Sequence, residues 1–143
     1  MSQHAVAKEL PTDYVPSTDE EFMNPQQQEF FRRKLLEWKS DILRESQETL
    51  QHLQEENLRE PDIADRASTE TDFSVELRTR DRQRKLVAKI ESALRRLEEG
   101  EYGYCEVTGD PISLRRLTAR PIATMTVEAQ EQHERAEKVH RDD

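Results

Sequence analysis

From Phe31 onward the apolar residues keep one spacing. Phe31, Leu35, Trp38 and Ile42 step by four, three and four, and Leu36, Leu43 and Leu50 recur at sevens. A helix is what lines such residues along one side, and this alternation is that of a coiled-coil seam. A second run, Leu86, Ile90, Ala93 and Leu97, repeats four, three and four, with Phe73 and Leu77 nearer its start. Between them "NLREPDIADRAS" breaks the period at Asn57 and Pro61, so a turn belongs there. Two periodic helices joined by a short link fold back as an antiparallel hairpin, because neither can hide its stripe alone.

The ends carry their own signals. Asn24 followed by Pro25 is an N-cap and first-turn pair, and Gly100 closes the second helix, which opens near Asp65 or Ser68. A fold-back centred near Ile63 makes facing residue numbers total about 125: Phe31 meets Leu94, Leu35 meets Ile90, Trp38 meets Val87, and Ile42 lies opposite Gln83. The hairpin is then tight at its base, polar in its middle, and lightly held near the tip by Leu50, Leu53 and Phe73. Helices of about thirty residues extend roughly 45 Å.

Composition supports an elongated, mainly α molecule: charged residues make up 37% and hydrophobic ones 33%, with only three glycines. The expected order is a flexible N-terminal arm over residues 1–23, with Tyr14 and Phe22 as docking points. The coiled-coil hairpin follows over 24–99, its tip at about 60–67. A small globular base, a zinc-finger-like knuckle lacking most metal ligands, covers 100–126, and a C-terminal helix capped by Thr126 covers 127–143.

A net charge of -9 speaks against direct DNA binding or attachment to anionic membranes, both of which need a basic footprint, and favours a protein partner. No apolar run is long enough to span a bilayer and no signal-peptide order opens the chain, so a cytoplasmic protein is expected. The single cysteine, Cys105, lacks a base at any signature spacing: His4, His52, His133 and His140 lie in the arm, the hairpin or the tail. No catalysis is expected from it. Asp62 and Asp65, three apart at the link, read either as helix-start capping or as a carboxylate pair presented to a partner. The basic run Arg78, Arg80, Arg82, Arg84 and Lys85 reads as a solvated exterior paired in part with Glu45 and Glu48, with some members facing an acidic partner. Arg115, Arg116 and Arg120 form a second cluster, where an anion could be shared with Lys89.

"EPDIADRASTETDFSVELRTRDRQRKL", "GEYGYCEVTGD" and "SLRRLTARP" together resemble the DksA family of bacterial transcription factors that bind RNA polymerase, over about Phe22 to Gln130. The resemblance implies an antiparallel coiled coil inserted into the polymerase secondary channel, at the beta prime subunit. Asp62, Asp65 and Ala67 match the family's D-x-x-D-x-A tip, which acts at the polymerase active centre. Arg82, Leu86, Lys89 and Arg120 match positions lining the family's site for ppGpp at the polymerase interface. Gln130 stands where a basic residue is usual.

In zinc-bearing relatives the ligands follow C-x2-C-x17-C-x2-C, and those slots here hold Cys105, Thr108, Thr126 and Ala129. The resemblance therefore implies a zinc-independent, single-cysteine member. It has no structural cofactor and takes ppGpp as co-effector. Its knuckle is held instead by Thr126 and by Tyr102, Tyr104, Ile112, Leu114, Leu117 and Ile122. The expected function is control of initiation at rRNA and stringent-response promoters by a monomer. The alternatives are a transcript-cleavage-stimulating or other secondary-channel factor, whose tip carboxylates would recruit a metal, or a helical adaptor with no polymerase role.

Overall fold

The structure is a computed structural model that describes residues 10–57 and 63–142, and describes side chains outside 56–69 and 141–142. It is mainly α, as the periodicity predicts: α1 (Pro25–Asn57), α2 (Ile63–Glu99), α3 (Leu114–Ala119) and α4 (Val127–Asp142). No strand occurs among the described residues; one isolated antiparallel bridge joins Tyr104 to Pro111.

The boundaries follow from local chemistry. Asn24 Oδ1 accepts the N–H of Gln27 at 2.8 Å, satisfying one of the orphan donors of α1, and Pro25 occupies the position where no N–H is needed. Gly100 leaves α2 at φ 77°, which an L side chain resists. α2 starts at Ile63, two residues before the earlier of the expected starts.

The described chain divides into two compact units. A hairpin unit comprises residues 36–91, and a knuckle unit joins residues 10–35 to 92–142. In the hairpin unit the helices are tied by Ser46 Oγ to Gln83 Oε1 at 2.7 Å and by Lys39 to Glu91 at 3.4 Å. These pairs total 129 and 130, so the register is shifted by about one helical turn from the expected 125. Ser46, not Ile42, lies opposite Gln83, and Trp38 lies level with Glu91 rather than Val87. Turn length does not fix a helix pair's register; the seam does, and here it matches Ile42 to the Val87 level and pairs polar with polar.

The seam is narrower than the apolar residues suggest. Ile42 and Leu53 are buried, but Leu36, Leu43, Leu50 and Leu77 stay 37–49% exposed. At 3.6 residues per turn, strict sevens drift away from a seam already filled by Ile42 and Leu53. The basic run pairs within its own helix, Arg84 and Lys85 both to Asp81, and not across to Glu45 and Glu48.

The knuckle unit holds most of the buried core: Phe31, Leu35, Leu97, Tyr102, Ile112, Leu114, Leu117 and Ala123. Its aromatic rings meet edge to face, Tyr14 on Phe30, Phe30 on Phe31, and Phe22 on Tyr104, while Phe31 is tilted against Tyr102. Gln27, fully buried, accepts the Met23 N–H at 2.8 Å and donates to Ser17 O at 3.3 Å, which fixes residues 17–23 on the start of α1. Tyr14 donates to the Glu20 carboxylate, and burial first, then that carboxylate, pushes its phenol up to about 12.

Candidate functional site

Three groups of residues carry the expected function. Of the tip motif, Asp62 lies outside the described residues; Asp65 and Ala67 belong to the first turns of α2, but their side chains lie outside the described set. The second group divides between the units. Arg82, Leu86 and Lys89, at i, i+4 and i+7, share one flank of α2 in the hairpin unit. Arg82 and Lys89 are exposed, and Arg82 makes one long hydrogen bond to Thr79 Oγ1 at 3.3 Å, so its guanidinium keeps donors for a ligand. Arg120 belongs to the knuckle unit, where its N–H caps α3 on Arg116 O and its side chain is exposed. Arg116 is taken out of the expected surface cluster, because its Nε donates inward to Met125 O at 2.9 Å.

The third group is the set of four ligand slots, and the fold brings it together. Thr126 Oγ1 sits 4.0 Å from Cys105 Sγ and accepts the Ala129 N–H at 3.2 Å, so one hydroxyl both caps α4 and faces the sulfur. Burial raises the pKa of the Cys105 thiol, but hydrogen bonds from the Thr108 hydroxyl and from the N–H groups of Thr126, Thr108 and Val107 outweigh it, bringing the thiol down to about 6. The sulfur keeps its ligand slot, and hydroxyl and N–H donors converge on it where a C4 site would offer it a cation. Zinc needs thiolate, imidazole or carboxylate donors, whereas these slots supply one sulfur, two hydroxyls and a methyl. No cluster of three or more His, Cys, Asp or Glu suited to a metal exists among the described residues. The residues present do not fit zinc.

What holds the knuckle is legible bond by bond. Cys105 N–H donates to Asp110 O at 2.7 Å, Gly109 N–H returns to Cys105 O, and Glu106 N–H reaches Thr124 O at 2.8 Å, closing the loop as a metal would from its centre. Ile112 N–H donates to Gly103 O at 2.7 Å. Gly103, at φ 90°, admits the Met23 side chain so closely that a Cβ would sit 3.0 Å from Met23 Cε. Buried Tyr102 donates to Pro121 O at 2.8 Å, with its phenol pushed up chiefly by burial. Sequence reasoning missed Arg96. Its guanidinium donates to Tyr104 O at 2.7 Å and Glu101 O at 3.3 Å and pairs with Glu106, while its own carbonyl accepts the N–H groups of Glu101 and Tyr102. An Arg in the last turn of a helix has a general capping role; its tertiary partners had no local signal. Gln27 stands three residues after the Asn24 cap, the capping-box spacing, a local signal that sequence reasoning passed over. Gln130 donates to Glu134 at 3.1 Å along α4.

Comparison with known proteins gives a consistent result across the chain. Residues 27–97 match the family described as DnaK suppressor protein DksA, N-terminal domain, and residues 100–135 match the prokaryotic dksA/traR C4-type zinc finger. The chain is 67% identical over 132 residues to the RNA polymerase-binding transcription factor DksA of Caulobacter vibrioides, covering 92% of this chain and 93% of that protein. It is 43% identical over 125 residues to the protein of the same name from Escherichia coli K12, covering 87% of this chain and 83% of that one. Among solved structures, transcription factor DksA2 from Pseudomonas aeruginosa superposes with a TM-score of 0.77 at 41% identity, over 82% of this chain and 90% of that chain.

Proposed function

The chain belongs to the DksA family of RNA polymerase-binding transcription factors, and from that premise we propose that it binds RNA polymerase at the beta prime subunit and inserts its hairpin tip into the secondary channel. Asp62, Asp65 and Ala67 act there on the active centre, modulating initiation at rRNA and stringent-response promoters by binding rather than by chemistry of their own. ppGpp is the co-effector, contacted by Arg82, Leu86 and Lys89 and by Arg120. The protein works in the cytoplasm as a monomer and does not need zinc. The observation that carries the regulatory reading is identity of 67% sustained over 92% of the chain with a factor of that name. Support for zinc independence comes from the slots of Cys105, Thr108, Thr126 and Ala129, where donor-rich hydrogen bonding surrounds a single sulfur. In zinc-folded modules the metal supplies roughly 10–16 kcal/mol. Here the hydrogen bonds of Arg96, Tyr102 and Thr126, each worth about 1 kcal/mol, act together with the buried core around Ile112 and Leu117.

The test is transcription in vitro from an rRNA promoter with purified polymerase, with and without this protein, ppGpp and a zinc chelator. Inhibition that deepens with ppGpp and is indifferent to the chelator is expected. Activity that the chelator abolishes would refute the zinc-independent part, and no effect in any lane would refute the regulator. Asp65→Asn should keep polymerase binding and lose regulation; loss of binding would contradict a tip that acts after docking.

A further inference from the structure

Within the knuckle unit, Arg120 stands exposed between two carbonyls that are pinned from elsewhere in the unit. Pro121 O, which follows it, accepts the Tyr102 hydroxyl at 2.8 Å, and Thr118 O, two residues before it, accepts the Lys34 ammonium of α1 at 2.9 Å. The Arg120 backbone itself bonds to near neighbours: its N–H donates to Arg116 O at 2.7 Å and its carbonyl accepts the Ala123 N–H at 3.0 Å. Those local bonds move with α3 and fix Arg120 only relative to it. The hydrogen bond that ties α3 to α1 comes from Lys34. Thr118 O is one of the last carbonyls of α3, which have no N–H of their own helix to meet them, and a lysine is well suited to fill that need. Lys34 is half-buried, its ammonium stands 5.8 Å from the centroid of the Phe30 ring, and no carboxylate pairs with it among the described residues. Phe30 is in turn met edge to face by Tyr14 and Phe31, so the ring beneath the ammonium is itself held.

From this arrangement we infer that Lys34 is a positioning residue for Arg120 in the response to ppGpp. It touches no nucleotide and acts by holding the α3 backbone from which the Arg120 guanidinium is presented. The inference rests on the role of Arg120 proposed above. A guanidinium contact to a phosphate depends on direction as well as charge, because its donors form a planar fork. A side chain presented from an unanchored backbone must be ordered at the moment of binding, which subtracts from affinity. With Lys34 on Thr118 O, part of that ordering is complete before the nucleotide arrives. A direct contact from Lys34 fits less well, since its ammonium is half-buried and already aimed at a carbonyl. The other pinned carbonyl differs in kind. Tyr102 is buried in the knuckle core, so losing its bond disturbs the unit as a whole, whereas the Lys34 tie can be cut with Leu35 and Leu117 still in place.

The experiment is transcription in vitro from an rRNA promoter with purified polymerase and the full chain, titrated with ppGpp. Lys34→Met keeps an unbranched stem and removes the ammonium. It is expected to raise the ppGpp concentration for half-maximal inhibition about fivefold, the effect of losing roughly one hydrogen bond, while inhibition without ppGpp and the urea midpoint stay as in the wild type. Lys34→Arg, which can still donate to Thr118 O above the Phe30 ring, should restore most of the response. In an Arg120→Ala background Lys34→Met should add nothing, since a residue that acts through Arg120 has nothing left to position. Should Lys34→Met lower the urea midpoint, Lys34→Gln removes the charge with a polar side chain and is judged by the same outcomes. A ppGpp titration unchanged by loss of the ammonium would overturn the inference. So would an undiminished further loss in the Arg120→Ala background, or an equal fall in ppGpp-free inhibition, which would mark a general structural role. A wild-type chain indifferent to ppGpp would remove the nucleotide reading and this inference with it, an outcome visible before any variant is made.

Discussion

The two units make opposite use of similar material. In the knuckle unit the exposed large apolar residues are valines, Val15, Val107, Val127 and Val139, while Phe31, Leu35, Ile112 and Leu117 have at most trace exposure, and Tyr102 and Thr126 hydrogen-bond to their neighbours. In the hairpin unit the seam is narrow, its middle is a Ser46 and Gln83 pair, four leucines face outward, and Glu76 Oε2 is buried without a hydrogen-bond partner. Stability is concentrated in one unit, and surface available for partners in the other. A loosely zipped hairpin costs little to adjust against another protein, whereas a metal-free knuckle has to be held by many specific bonds at once.

The sharpest way to break that contrast is at the aromatic cluster. Phe31→Ala removes a fully buried ring that touches Phe30 and Tyr102, and is expected to destabilise by about 3–5 kcal/mol in urea unfolding; a loss comparable to that of an exposed residue would show that the knuckle core is not where stability lies. Tyr102→Phe deletes only the bond to Pro121 O and should cost about 1–2 kcal/mol, since it leaves a buried acceptor unmet. In the hairpin unit the sign should turn. The observed register sets Glu76 level with Leu53, so Glu76→Leu should stabilise by about 1 kcal/mol by replacing an unsatisfied oxygen with seam contact. A loss there would favour a different register.

The effect most specific to the knuckle is its dependence on pH. The Cys105 thiol has a pKa of about 6 in the folded chain, below its ordinary value of 9.0. The thiolate's contribution is therefore complete above the ordinary value and is lost as pH falls through about 6. The unfolding midpoint should rise between those limits, and Cys105→Ser should flatten that rise while changing little below it. Thiolate ultraviolet absorbance gives the titration directly, and a midpoint near the ordinary value would remove the hydrogen-bond network from the account.

Much of this fold was legible because its signals are local. Asn24 and Pro25 mark the start of α1, Gly100 marks the end of α2, and Thr126 marks the cap of α4, each through chemistry confined to a few neighbouring residues. The antiparallel pairing was legible from the two stripes, but its register was not, because a shift of one turn moves every apolar contact together and leaves the pattern intact. Leu36, Leu43 and Leu50 looked like seam residues for the same reason: periodicity identifies a face without saying what covers it. Arg96 was opaque, since its value lies in carbonyls that only the folded chain places within reach, whereas Gln27 could have been read from its place three residues after Asn24. The four ligand slots were found through family resemblance, and only the geometry reveals that Thr108 and Thr126 donate to the sulfur.

The knuckle unit is assembled from both ends of the chain, 10–35 and 92–142, with the hairpin unit interposed. On the ribosome this imposes an order. The hairpin unit is contiguous in sequence and can zip as it emerges, whereas Phe31 waits for Tyr102 to be synthesised before their unit can close. An unzipped insert would lengthen the loop to be closed, each doubling adding about 0.6 kcal/mol of entropic cost. Hairpin formation thus serves as the chain's own tether, and a nascent chain stalled before residue 92 carries an exposed aromatic cluster, a natural substrate for chaperones and proteases.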